Sequence, residues 1–355
     1  MSVSRRATPE KPKRPALMLT LSTLLGLAAG ALLLEGTARW ALDSGMDFDL
    51  EMWKYARDIK RVSDEPAIGH EHRPHTAGFY MGVPVEINAL GLRDVEFDPD
   101  EKPAGQVRTV MLGDSLTFGW GVLAEDTPSK MLETLFNHGG ESQRFQVINT
   151  GVGNYNTQME TAYFLTKGYK LKPDVVVLNY FINDAEPTPR RKRSWLAEHS
   201  QAFVVLSSAI DKASRLFFGK SDWKDYYRGL YAEDQPGWAG TKDAIHKLAA
   251  YCREQSIPLL IVNYPELHEL KEYPFSEVTE AIAAVAAGES VPFLDLTPSV
   301  ADLEPETLWV SPTDAHPNKI ANDRFARAIK KTLQAAFPQL YADPIHSVSA
   351  SDGQG

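Results

Sequence analysis

Short runs of aliphatic and β-branched residues, separated by segments of helical spacing, recur through the chain from about residue 107 onward. The clearest is Val175-Val176-Val177-Leu178, in which no polar residue interrupts the run. A strand that can tolerate apolar side chains on both faces belongs in the middle of a parallel sheet covered on both sides. Further strands are expected at 107–112, 145–148, 174–181, 257–263 and 291–296. Helices are expected at 130–137, 159–170, 241–255, 281–287 and 317–337. Strands alternating with helices of this length specify an α/β protein with a parallel sheet and helices on both faces. In such sheets reactive groups collect at the carboxyl ends of the strands, which gives a geometric filter for the residues that follow.

The 355 residues suffice for one large α/β domain or two small ones. The single cysteine, Cys252, excludes an intrachain disulfide framework and a multi-thiolate zinc site. The net charge of −10 is unevenly distributed: residues 1–15 carry +4, from Arg5, Arg6, Lys11, Lys13 and Arg14 against Glu10. An acidic body does not suit a polyanion binder, so nucleic acid is not an expected partner.

Residues 16–34 contain no charged side chain. As a helix they would reach about 28 Å, close to the hydrocarbon thickness of a bilayer. Basic residues precede this run and none flank it closely on the other side. The expectation is a transmembrane anchor with residues 1–15 as a cytoplasmic tail and everything after Glu35 outside, in a periplasmic space. A cleaved signal peptide is the competing reading, with Ala29-Gly30-Ala31 as the small-residue site, but Leu32-Leu33-Leu34 continue the apolar run past it. The pair Arg5-Arg6 lies too far from the run to read as a twin-arginine signal. Residues 35–104 read as a membrane-proximal region with a strand at 83–87. Residues 105–338 read as the catalytic domain, and 339–355 as a disordered tail.

An insertion at 185–238 interrupts the alternation between the third and fourth strands. It opens with Arg190-Arg191-Lys192-Arg193, continues through an apolar stretch at 202–210, and carries Phe217, Phe218, Trp223, Tyr226, Tyr227, Tyr231 and Trp238. It reads either as a lid or lip over the site or as a solvated helical excursion with a small core of its own.

Ser115 stands where the first strand ends and a helix should begin. A serine hydroxyl needs a base to become a nucleophile, and at such a turn nearby N–H groups can face a developing oxyanion. His316 supplies the base, in Thr313-Asp314-Ala315-His316-Pro317-Asn318 after the last strand, with Pro317 placed to begin the final helix. Asp314 can orient the imidazole and stabilise its cation. Asn183, after the third strand, can offer a side-chain amide to an oxyanion. The segment Asn149-Thr150-Gly151-Val152-Gly153-Asn154 follows the second strand, where glycines let a backbone N–H approach a substrate. Each residue alone has a plain alternative as a cap or turn. Their joint placement at the ends of strands one, two, three and five points to a serine site.

These blocks resemble the SGNH/GDSL hydrolase superfamily, in a membrane-anchored form of bacterial type. Val110 to Gly119 is similar to its first block, with Ser115 as nucleophile. Asn149 to Thr157 is similar to its second, Asn183 stands at its third, and His316 at its fifth. The resemblance implies a three-layer α/β/α flavodoxin-like fold with a five-stranded parallel sheet. It also implies an oxyanion hole built from Ser115, Asn183 and the second block, where the family's glycine position is Asn154 and Gly153 is a substitute donor. The family commonly places its aspartate three residues before the histidine. That position is Thr313 here, so Asp314, two before, is the expected acid, a spacing that resembles the envelope O-acetyltransferase branch. Asn88 to Asp94 is similar to a segment that precedes the first block in anchored bacterial members. A Gly-x-Ser-x-Gly elbow is absent, which disfavours the α/β-hydrolase fold. No phosphate loop or His-Glu-x-x-His motif supports a nucleotide, metal or other cofactor.

The expected activity is a serine-dependent hydrolase acting on O-acyl groups of an envelope glycan or lipid. The alternatives are an O-acetyltransferase for an exported polysaccharide, which would need a partner membrane protein to deliver acyl groups, and a non-catalytic envelope-binding protein.

Overall fold

The computed structural model describes residues 14–138, 144–188, 195–217 and 223–341. It opens with helix α1 (Arg14–Thr37), continued by a π-helical turn, Ala38–Leu42. Together they contain one helix, Leu17–Ala41, long and apolar enough to cross a membrane, whose apolar stretch is not buried in the protein. The helix outlasts the uncharged run at 16–34, and Glu35 and Arg39 pair across its last turns at i,i+4 spacing, 2.7 Å apart.

Helix α2 (Phe48–Asp58) follows, capped by the Asp47 carboxylate, which accepts from the Leu50 N–H. Two antiparallel hairpins come next: β1 (Lys60–Val62) with β2 (His70–His72), and β3 (Ala77–Tyr80) with β4 (Val83–Glu86). The strand expected at 83–87 is thus the second half of a small hairpin.

The central layer then builds up in chain order. β5 (Val107–Leu112) leads into α3 (Ser115–Phe118) and α4 (Pro128–Asn137). β6 (Phe145–Asn149), α5 (Thr157–Thr166) and β7 (Val175–Tyr180) follow. The insertion supplies α6 (Trp195–His199), α7 (Gln201–Phe217) and α8 (Trp223–Leu230), and leads into α9 (Pro236–Glu254). β8 (Leu259–Asn263), α10 (Ser276–Gly288) and β9 (Phe293–Asp295) complete the sheet. A last hairpin, β10 (Trp309–Ser311) and β11 (Asp314–Pro317), precedes α11 (Lys319–Ala336) and α12 (Pro338–Tyr341).

The five-stranded sheet is parallel throughout, in the order β6-β5-β7-β8-β9. That is the flavodoxin-like order. Every residue of β5, β7 and β8 is buried. Strand periodicity splits them between two cores. Val176 and Leu178 face α5 and α9, through Met159, Phe164, Ile245 and Leu248. Val175 and Val177 face α4 and α11, through Leu132, Phe325 and Ile329. The three-layer α/β/α arrangement follows from this division. A third cluster joins Tyr55, Ile59, Tyr80 and Val85 to Phe118 and Trp120, so α2 and the two hairpins share a core with the turn after β5.

Two expectations need correction. Pro317 does not begin the final helix; it ends β11, and α11 starts at Lys319 behind Asn318, whose Oδ1 accepts from the N–H groups of Ile320 and Ala321. The tail does not start at 339, because α12 carries Tyr341 into a buried stack with Phe136. Residues 1–13 of the basic segment expected as a cytoplasmic tail, residues 342–355 of the expected disordered tail and the basic run Arg190–Arg193 lie outside the described residues.

Candidate active site

At the carboxyl end of β5, the Asp114 carboxylate accepts from the Leu116 N–H at 2.8 Å and caps α3. Ser115 is the first residue of that helix, so its own N–H has no intrahelical acceptor. The turn is tight. A Cβ on Gly113 would lie 2.0 Å from Thr117 Oγ1, and one on Gly151 would lie 2.2 Å from the Phe118 nitrogen. Glycine at both positions lets the loop after β6 close against α3.

Ser115 Oγ lies 2.9 Å from His316 Nε2. His316 Nδ1 donates to Asp314 Oδ1 at 2.6 Å, and the His316 backbone N–H donates to the same oxygen at 3.1 Å. The other carboxylate oxygen accepts from the Trp120 indole N–H at 3.1 Å. Burial opposes ionisation of Asp314, but these bonds outweigh it and hold the carboxyl below the usual carboxylate range. Phe48 stacks on the far face of the imidazole, centroids 5.6 Å apart at 28°. His316 is not on a loop directly after the fifth strand, as read from the sequence. It sits on β11 of a separate hairpin, paired with β10, which fixes the ring more firmly than a loop would.

The second-block loop is held from the other side. The buried His72 ring donates through Nδ1 to the Gly91 carbonyl at 3.1 Å and accepts the Tyr55 hydroxyl proton through Nε2 at 2.6 Å. Tyr55 Oη in turn accepts from the Gly153 N–H at 3.1 Å. Burial pushes the His72 pKa down to about 3, so the ring stays neutral and able to accept. The Gly153 N–H is therefore already engaged, which corrects its reading as an oxyanion donor. Asn154 adopts a left-handed backbone conformation, φ 64°, which Asn tolerates better than most residues. Its side-chain oxygen accepts from Lys60 Nζ at 3.0 Å.

Asn183 lies on a 3-10 turn, Ile182–Ala185, just past β7. It interacts with the Asp114 carboxylate, and among the described residues its Oδ1 is buried without a partner. Behind Ser115, three carboxyl groups are fully buried. Burial pushes Asp114 up to about 6 and raises Asp184 and Glu160 well above the carboxylate range, with repulsion from Asp114 adding to both of the latter.

A cleft of about 300 Å³ opens over His316 and Asp314, walled by Phe48, Phe181, Tyr227, Glu266, His268 and Thr313. Tyr227 belongs to α8, so this part of the insertion forms a lip on the cleft. His268 is oriented by Glu266, which raises its pKa by accepting from Nδ1, and its ring lies 4.9 Å from that of Trp309.

A family model described as GDSL-like Lipase/Acylhydrolase matches residues 111–324, well over half of the chain. The chain belongs to this family. No curated protein matches the acylhydrolase. Among solved structures it is similar to a catalytic mutant of Axe2, an acetylxylan esterase from Geobacillus stearothermophilus (14% identity, TM-score 0.44, covering 65% of this chain and 96% of that one). It is also similar to TesA (14% identity, TM-score 0.43, 64% and 98%). A third is LAE5, an alpha/beta hydrolase enzyme from the metagenome of Lake Arreo, Spain (14% identity, TM-score 0.44, 65% and 96%).

The structure joins Ser115, His316 and Asp314, all marked in the sequence, in one hydrogen-bonded chain and sets Asn183 against the Asp114 carboxylate. The sequence reading did not point to Phe48, Tyr55, His72, Trp120, Glu266 or His268. Trp120 had a signal, an indole three residues past Thr117, just after the nucleophile's own turn. The others lie far from the family blocks in sequence, and only the folded chain brings them to the site.

Proposed function

We propose that this acylhydrolase is a serine esterase that removes O-acyl groups from an envelope glycan or lipid. The continuous chain from Ser115 through His316 to Asp314, opening into an aromatic-walled cleft, is the observation that carries this reading. His316 takes the Ser115 proton as Oγ attacks the ester carbonyl. Asp314 holds the imidazole in the required tautomer and stabilises its cation. The oxyanion is received by the N–H of Ser115, the N–H of Asn154 and the Asn183 amide. The leaving alcohol departs with the proton held on His316, and water cleaves the acyl-enzyme by the reverse sequence. Phe48, Phe181 and Tyr227 offer aromatic faces on which a sugar ring can pack. Helix α1, with basic residues before it, supports an anchor that leaves this site on the extracytoplasmic side.

The test is acetate release from p-nitrophenyl acetate by the detergent-solubilised full chain. Ser115→Ala and His316→Ala are expected to abolish turnover while remaining folded, and Asn183→Ala to cost about 100- to 1000-fold. Equal activity in all four proteins would remove the assigned nucleophile and base. Turnover that rises with an added xylo-oligosaccharide, itself becoming acetylated, would replace the hydrolase reading with an O-acetyltransferase. A folded protein inert with acylated sugars and lipids alike would leave the binding-protein reading.

A further inference from the structure

Helix α7 is fastened to the exit of α1 by a row of polar contacts. The Glu35 carboxylate accepts from Ser200 Oγ at 2.8 Å and from the N–H groups of Gln201 and Ala202 at 3.0 and 3.1 Å, capping α7 at its first turn. Gln201 Nε2 donates to Asp43 at 2.9 Å, Trp53 donates to the Ala197 carbonyl, and Ser208 donates to Asp49. The side of α7 carrying Gln201 is thus tied to α1, the π-turn and α2.

Its other side is open among the described residues. Phe203, Leu206 and Ile210 recur at helical spacing on one face and are 37%, 59% and 60% exposed. Two tryptophans flank the same junction in the open, Trp40 at 89% and Trp195 at 69% exposed. Scattered exposed apolar residues are ordinary, but an aligned row next to unburied Trp side chains marks an interaction surface.

Position decides the partner. Glu35 is the first charged residue after the apolar run of α1, so it marks where that run would leave the hydrocarbon. It is also the residue that caps α7. Gln201 to Leu206 is five steps of helix and Gln201 to Ile210 nine, about 8 and 14 Å along the axis, so the whole row stays at headgroup depth when α7 lies close to the membrane plane. A bilayer's headgroup layer is roughly 5–8 Å deep on each side, and interfacial helices bury their apolar face about 5–10 Å into it. We propose that the Phe203/Leu206/Ile210 face of α7 lies in the headgroup region of the same membrane that α1 crosses. The insertion is then a second, interfacial membrane contact, and Trp40 and Trp195 form its aromatic belt. This inference rests on the anchored reading of α1.

Single cysteines placed at Leu206, at Leu25 in α1 and at Lys247 on α9 would carry an environment-sensitive fluorophore in the full chain. The protein would be reconstituted into phosphatidylethanolamine/phosphatidylglycerol vesicles. Cys252 is buried and its thiol pushed up to about 12, so it stays silent. The expected result is loss of Leu206-site fluorescence to headgroup-level nitroxide lipid more than to deep-chain nitroxide, the reverse order at Leu25, and quenching by aqueous iodide only at Lys247. Iodide quenching at Leu206 with lipid quenching kept at Leu25 overturns the proposal and leaves the anchor standing. Shielding at Leu206 from both quenchers overturns it in favour of a protein partner. No lipid quenching at Leu25 removes the anchored reading and this inference with it.

Discussion

Asp114 does two things with one carboxyl group. It caps the helix that carries Ser115, and it lies fully buried beside Asn183, Asp184 and Glu160. Folding raises its pKa to about 6, chiefly by burial, so the folded state favours the protonated form. Its contribution to stability is therefore complete below the unfolded value near 4 and is lost as pH rises through about 6. Asp114→Asn keeps an oxygen for the cap and removes the titration. Denaturant midpoints at pH 4 and pH 8 should show little difference from wild type at the lower pH. At the higher pH the variant should be more stable, by about 1–3 kcal/mol. An equal offset at both pH values would mean that Asp114 does not titrate. The sequence marked Ser115, His316 and Asp314 because each sits in a short motif with its neighbours. It did not show that Asp114 is buried or, although Trp120 stands close after the nucleophile, that its indole reaches Asp314, since both depend on packing across the turn.

At the scale of elements, the sheet was legible and the supports around it were not. Strands such as β7 announce themselves because Val175 to Leu178 run apolar without a break, and their alternation with helices marks a parallel sheet. The helix α2 carries no comparable mark. Its Phe48 and Tyr55 lie far in sequence from the blocks they serve, one stacking on His316 and the other holding the loop after β6 by the Gly153 N–H. Tyr55→Phe removes one hydroxyl and leaves two buried groups, that N–H and His72 Nε2, without their partner. The expected cost is about 1–3 kcal/mol in denaturant unfolding, because unsatisfied buried groups bear the full desolvation penalty. Turnover should also fall several-fold as the loop carrying Asn154 loosens. Unchanged stability and activity would show that α2 does not position the loop. The insertion was likewise read as one unit, whereas the structure divides its work: Tyr227 of α8 walls the cleft, and α7 packs on α1 and α2.

For the molecule as a whole, the chain closes on itself through its last described residue. Tyr341 stacks on Phe136 and Phe145, centroids 4.7 and 5.6 Å away, and shares a hydrogen bond with Thr109 of β5 at 2.9 Å. Composition in this stretch looks like a tail, and only the aromatic partners from α4 and β6 show why it is ordered. Tyr341→Ala should lower unfolding stability by about 3 kcal/mol, as for other buried aromatic truncations. A variant with an unshifted denaturant midpoint would place the domain's edge before α12. At the other end, only six residue steps separate Leu42, the last residue of the π-turn, from Phe48, whose ring stacks on His316. Extended chain covers at most about 3.6 Å per residue, so this connection spans no more than about 22 Å. An anchored enzyme built this way has no stalk. On the proposed anchored reading, its reach is set by that short connection, so esters far from the membrane surface stay beyond it.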